Sequence, residues 1–527
     1  MFGFLQALLL LIYGGQGPAD LLDLIPTKDY WELKQVEPTP QSMLDQLQDP
    51  EALDPTPLLR KLADPSAAER DAATTALINM GPGVVPKLKT LQGGGPEFRL
   101  RVEGIIAEIE HRSSAANVRR LMAIRTLGEL GDEAALPRLR QLQQSTTMFE
   151  ADYARDALAA IAGEPSPAGE LTPAVPPELL PAESWLLAQT ARDPARRARL
   201  DWEQVTRLAT AFEDEPGDFR AKAVAAVIDF AEQVGNARYD SLNVAASGNF
   251  EEEGMVQFVV RGQWDAEQVR RFFRSTGRED DGWEAIGAFE EVPAGQQPGF
   301  RPEDDEDFLL VPVDDETLVM AAGEAVDAEA VQSLLARMRA GQEAVDQPLN
   351  DRMAGLLKQT DPDATTWLAM YAPAWMMQNM PVKGVEGLVV NLGVSDEGAG
   401  EVAVKFLGDN PGALKSAMKL LKGQIDLARN EFDDEDELPP EMKQMMREMT
   451  LSIDDDTGTG VLQVTIPPAM MDIKFYADMQ QKQAEEFRGM RQQHGAVEVV
   501  PVDPEMPDAV DELEEAPAAE PATQPAG

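Results

Sequence analysis

Two histidines, His111 and His494, are the only imidazoles in the chain, so base chemistry of the Ser-His-Asp kind would have to run through one of them. Neither follows a strand-to-helix turn with a nucleophile close by, and no Gly-x-Ser-x-Gly elbow occurs. Both read as surface residues, His111 ending a helix and His494 at the edge of an acidic tail. Cysteine is absent, which removes thiolate nucleophiles, disulfides, thiolate zinc sites and iron–sulfur clusters together. Carboxylate pairs could serve glycoside hydrolysis, but among 93 Asp and Glu such pairs arise by chance everywhere. Gly93, Gly94 and Gly95 could cradle a phosphate, yet Pro96 follows and the Lys-Ser/Thr of a P-loop is missing; a joint between helices explains them better.

Two further patterns concern metals. Asp454, Asp455 and Asp456 precede Thr457 and Gly458, like the start of a calcium loop, but Thr465 stands where the bidentate Glu is required. A hairpin turn accounts for the same residues. Methionine numbers 23, with one cluster at Met376, Met377 and Met380 and another at Met442, Met445, Met446 and Met449. Spacings of three and four residues put thioethers on one helix face. Such a face could hold Cu(I) or form a malleable partner groove, although core packing is the commoner use. These patterns assign no catalytic residue, no metal ligand and no cofactor.

The elements that would position such residues begin after an apolar run. Residues 2–12 are apolar except for Gly3 and Gln6, too few for a membrane span of roughly 20 residues. With Gly17 and Ala19 ahead of Asp20 they fit a signal peptide over residues 1–19, though no basic residue precedes the run. A buried N-terminal helix is the competing reading. No later stretch is long and apolar enough to span a membrane, so a periplasmic or secreted protein is expected. Residues 20–55 form an N-terminal extension.

Residues 56–163 show internal similarity. The segment 73–81, followed by 86–91, recurs fifty residues on at 123–131 and 137–142. Each copy reads as an amphipathic helix, a glycine stop (Gly81, Gly131) and a second helix entered near a proline (Pro86, Pro137). Segments 98–110 and 151–162 read as the helices that follow each copy. With Arg70, Ala73, Leu77, Gly81 and Leu88 in place, the block resembles HEAT-type helical repeats. That resemblance implies an all-α stack in which neighbours bury one another's apolar stripes.

Residues 164–182 are a Pro-rich linker. Beyond them, alternating apolar runs and turn residues predict an α+β body of two related modules, 183–345 and 346–492, with mainly antiparallel sheets. The segment 367–372 echoes 185–190. Helices are expected near 200–212, 219–236, 265–275, 327–339, 411–430 and 469–487. Strands are expected at 242–247, 255–262, 283–290, 308–312 and 317–322, then at 385–394, 401–407, 450–454 and 460–466. Whether the modules share one sheet stays open. Through Val259–Gly262 leading into one helix, and Asp314–Val319 leading into another, the body is similar in layout to uncharacterised exported proteins of planctomycetes and myxobacteria. That likeness implies export and no activity. Residues 493–527 are too poor in large apolar side chains to offset the entropy of ordering, and an acidic, disordered tail is expected.

The whole chain carries 46 basic against 93 acidic residues, a formal charge of −47. Nucleic acid is therefore excluded as an expected partner, because binding it displaces counterions with a basic surface. An exported, non-catalytic binding or scaffold protein of the cell envelope is expected, with a protein partner of basic character. A periplasmic hydrolase using carboxylates or a divalent metal is the alternative. The expected apolar contact patch is Trp367, Tyr371, Trp375, Met376 and Met380.

Overall fold

A computed structural model describes residues 20–48, 54–91, 95–163, 171–192, 219–248, 254–275, 289–294, 297–303, 307–323, 326, 328–340, 349–361, 364–373, 384–395, 397–434 and 439–471. The signal peptide expected at 1–19, the helices expected near 200–212 and 469–487 (past Met471) and the tail expected at 493–527 lie outside them, as does His494. So do Gly93 and Gly94, and residues 283–288 of the strand expected at 283–290.

The front of the molecule is helical and is built on one long helix. Short helices α1 (Thr27–Leu33), α2 (Pro40–Gln46), α3 (Thr56–Lys61), α4 (Ala67–Asn79) and α5 (Val85–Lys89) lead into α6 (Pro96–Leu130). Helices α7 (Leu136–Leu142) and α8 (Glu150–Ala162) follow. The helices expected over 98–110 and 123–130 are thus a single rod, which also places His111 inside the rod rather than at a helix end. Residues 111–122 contain no Gly or Pro to interrupt it, so the hydrogen-bond ladder continues. The rod ends where expected, at Gly131, whose φ of 68° suits a residue without a Cβ.

Two apolar cores lie along this rod. Val102, Ile105 and Ile109 on its first half pack with Leu62, Leu77 and Leu88. Leu121, Ile124 and Leu127 on its second half pack with Trp31, Met43, Leu139 and Leu158. Trp31 donates its indole N–H to Thr126 Oγ1 at 2.8 Å, so burying the ring leaves no unmet donor. Gly128 lets α8 approach closely: a Cβ there would stand 2.9 Å from Ala157 Cα.

Helix α9 (Phe219–Val234) belongs in sequence to the α+β body, but Val224, Ile228 and Ala231 complete the second helical core. It leads directly into the first long strand of the body. Beneath that junction Arg238 is 1% exposed; its Nε donates to Asp20 Oδ1 at 2.8 Å and its Nη1 to Asp152 Oδ2 at 2.7 Å. Its guanidinium also sits over the Phe149 ring, 5.0 Å from the centroid. Burial works against the charge, but the two carboxylates hold the Arg238 pKa above its ordinary value. One side chain thereby ties the start of the described chain, helix α8 and the sheet together.

Among the described residues the body is a single sheet of 12 strands in which every pairing between strands is antiparallel. The strands are β1 (Leu186–Ala191), β2 (Arg238–Ser247), β3 (Met255–Gln263), β4 (Phe289–Ala294), β5 (Gln297–Pro302), β6 (Phe308–Asp314) and β7 (Thr317–Ala322). The second half supplies β8 (Thr366–Tyr371), β9 (Gly387–Val394), β10 (Gly400–Leu407), β11 (Thr450–Ile453) and β12 (Gly460–Ile466). Their spatial order is β11-β12-β10-β9-β8-β1-β2-β3-β7-β6-β5-β4. The question the sequence leaves open is answered by β1 and β8, which pair antiparallel with Ala188 opposite Leu368. Outward from this seam the first half runs β1-β2-β3-β7-β6 and the second runs β8-β9-β10-β12-β11.

Helices α10 (Ala266–Ser275), α11 (Ala328–Ala340), α12 (Asp351–Leu357), α13 (Pro411–Asp434) and α14 (Pro440–Glu448) flank the sheet. Strand periodicity sorts the faces. Leu187, Val259, Val319, Trp367 and Val389 point one way and meet Val331 and Leu335 of α11 and Met353 and Leu356 of α12. Phe406 and Leu462 point the other way and meet Leu414 and Met418 of α13. Phe272 and Phe273 of α10 form an edge-on aromatic pair, and Phe273 also meets Phe289 and Phe300 of the β4–β5 hairpin. Residues 171–182, read from the sequence as linker, lie against the sheet: Asn243 exchanges two hydrogen bonds of 3.1 Å with the Val175 backbone, and Leu180 is buried.

Candidate functional site

A buried amide, Asn391, and exposed polar residues on the neighbouring half-exposed strands mark the site. Register aligns Thr450, Gln463, Ala403 and Asn391 in one row across β11, β12, β10 and β9. The adjacent row on the same face holds Thr465, Glu401 and Gly393, with Thr365 and Ala191 beside them. Large apolar side chains are missing from both rows, and the small residues Ala403, Gly393 and Ala191 keep the floor low. The outcome is a trough of about 960 Å³ crossing one end of the sheet. Asp361, Glu401 and Glu448 supply its carboxylates, and Arg192 lies at the β1 end.

Arg192 is held firmly. Its backbone N–H donates to Asp240 O at 2.8 Å and its Nη2 to Asp240 Oδ1 at 3.0 Å. Asp240 Oδ2 accepts from the Thr172 N–H at 3.0 Å. Both side chains of the pair are almost wholly enclosed, at 2% and 0% exposure. The Arg192 Nε nevertheless meets no hydrogen-bond partner among the described residues. An enclosed donor without an acceptor costs about 1–3 kcal/mol. Glu401 is exposed and has no ion-pair partner among the described residues. The trough therefore combines a fixed, incompletely used cation at one end with an unneutralised anion on its floor.

No protein-family model, curated protein or solved structure matches this chain. Its functional reading rests on its own residues.

Of the expected apolar patch, Trp367 is 7% exposed and packs in the sheet core beneath α12, which leaves little surface for a partner. Tyr371 is half-buried, and its hydroxyl accepts from Asn350 Nδ2 at 3.3 Å. Trp375, Met376 and Met380 lie outside the described residues. Met442, Met445 and Met446 are half-buried on α14, which packs on α13 and β12.

The acidic turn at 454–458 is a hairpin end. Asp454 Oδ1 accepts from Thr457 N at 2.8 Å, Thr457 Oγ1 at 2.9 Å and Asp456 N at 3.0 Å, and these hydrogen bonds lower its pKa. Asp455 pairs with Lys415 Nζ at 2.6 Å, which lowers its pKa as well. Turn donors engage Asp454 Oδ1 and a lysine engages Asp455 Oδ1, as a hairpin end requires.

Sequence reasoning missed the trough. Its signal was present in Asn391, a lone amide within the apolar run 385–394, and in Arg192, placed directly after a strand core. Only the pairing of distant strands reveals that these residues share a face with Glu401 and Gln463.

Proposed function

We propose that the chain is an exported, non-catalytic contact protein of the cell envelope. In this reading a HEAT-like helical block and two related α+β halves form one scaffold for a basic protein partner. The observation that supports it best is the union of helical front and sheet: α9 completes a helical core and continues into β2, and Arg238 bridges Asp20 to Asp152. Such a union gives an extended surface of fixed shape, as a scaffold requires. The matching strand orders outward from the β1–β8 seam favour an ancient duplication of the body. A formal charge of −47 selects against anionic partners and draws cationic ones.

The test is capture by the purified full-length chain from an envelope extract, followed by reconstitution with the purified candidate. A stoichiometric complex with a basic protein, weakened by rising salt, is expected. Turnover of an envelope substrate without a stable stoichiometric complex would overturn the proposal. Fractionation tests the location: a C-terminally tagged chain held in the cytoplasm contradicts export.

A further inference from the structure

We infer that the trough across β8–β12 binds a short, extended basic peptide, with a lysine or arginine side chain on Glu401 and a main-chain carbonyl oxygen toward the Arg192 guanidinium. This deepens the contact-protein reading and rests on it.

Three observations converge. Glu401 rises from the floor without a counter-ion among the described residues, and Asp361 and Glu448 add negative potential beside it. Arg192, enclosed and fixed by Asp240, leaves Nε without an acceptor. A simple cation would satisfy the carboxylates but not this donor; an anion would satisfy the donor and be repelled by the carboxylates. A peptide supplies a carbonyl oxygen and a cationic side chain within a few residues of each other. The amides and hydroxyls of Asn391, Gln463 and Thr465 offer further partners for its backbone. The low floor, made by Ala403 and Gly393, gives room for a main chain rather than for a bulky apolar anchor.

Fluorescence anisotropy on the full chain tests this with labelled trilysine amide, competed by unlabelled trilysine amide or by spermine. Both competitors carry four positive charges, but only the peptide has carbonyl oxygens. The peptide is expected to compete at least about ten-fold better, since an acceptor for a charged donor adds to charge attraction. Glu401→Gln should weaken binding by about five-fold, as removal of one partly exposed ion pair does. Glu103→Gln, an exposed acid on α6, should leave it unchanged. Equal competition by spermine, or equal loss in the two variants, would show attraction to net charge alone and overturn the inference. Arg192→Lys keeps the charge and removes Nε; provided its melting curve matches the parent, it should abolish the preference for peptide over spermine, and a retained preference also overturns the assignment. If Glu401→Gln binds trilysine amide as the parent does while the chain still forms a stoichiometric complex with a basic protein, the trough fails and the contact reading stands. If the trough binds peptide and no such complex forms, the contact reading fails instead.

Discussion

Arg238 shows how much of this structure hangs on single polar side chains. It is among the largest fully enclosed side chains, and its two carboxylate partners come from segments more than 80 residues away, Asp20 at a separation of 218 and Asp152 at 86. Replacing a buried ion pair with apolar groups can be neutral, but removing one member leaves an uncompensated charge. Arg238→Met should therefore destabilise the chain by about 3–5 kcal/mol, read from urea midpoints. Asp20→Asn combined with Arg238→Met should recover part of that loss, because one stranded carboxylate disappears. A shift in midpoint below about 1 kcal/mol would mean that water reaches the cluster and that the joint is looser than drawn. Nothing in the sequence marks Arg238 as special. It is one of 46 basic residues, and its role depends on three segments that meet only after folding.

At the level of elements, most of the pattern was legible because it is local. Alternation over 308–322 and 385–407 gives the hairpins β6–β7 and β9–β10, whose turns are formed by Asp, Glu and Gly. Glycine stops at Gly81 and Gly131 place the ends of α4 and α6, and Pro86 and Pro137 place the starts of α5 and α7. Fusion of two expected helices into one rod was not legible, because apolar spacing alone does not show whether a stretch such as 111–122 bends. The β11–β12 hairpin carries its own pH dependence. The folded-state pKa of Asp454 is depressed by the turn donors, so its contribution is present above the unfolded pKa and fades as pH falls through the lower folded value. Protection of the Thr457 amide against hydrogen exchange should hold at neutral pH and drop in strong acid, below the ordinary carboxylate range. Asp454→Asn should flatten that dependence; an unchanged acid response in the variant would assign it elsewhere.

For the whole molecule, the sequence suggests a boundary that packing does not respect. A cut after residue 163 separates the helical block in sequence, yet it removes α9 from the second helical core. Val224, Ile228 and Ala231 would be lost, and burying one Val or Ile contributes about 1.5–3 kcal/mol. A fragment of residues 20–163 is thus expected to bind a hydrophobic dye and melt without a sharp transition, while residues 20–477 melt cooperatively. Cooperative melting of the short fragment would make α9 an accessory rather than a part of that core. The shared sheet was invisible for a similar reason, since the pattern gives 185–190 as strand-like and 367–372 as its echo but does not show that they adjoin.

That seam has a consequence for how the chain comes into being. Thr190 and Thr366 meet hydroxyl to hydroxyl at 2.7 Å across 176 residues of sequence, so β1 must wait for β8 while the intervening chain emerges. Until then β1 has an unsatisfied border in the interior of the future sheet, while β4 already stands at the far edge of the first half. Newly made first halves meeting in a crowded compartment can satisfy that border with one another instead, and domain-swapped or stacked dimers are the natural misassembly of this topology. Slow, distant strand pairing sets the vulnerable interval.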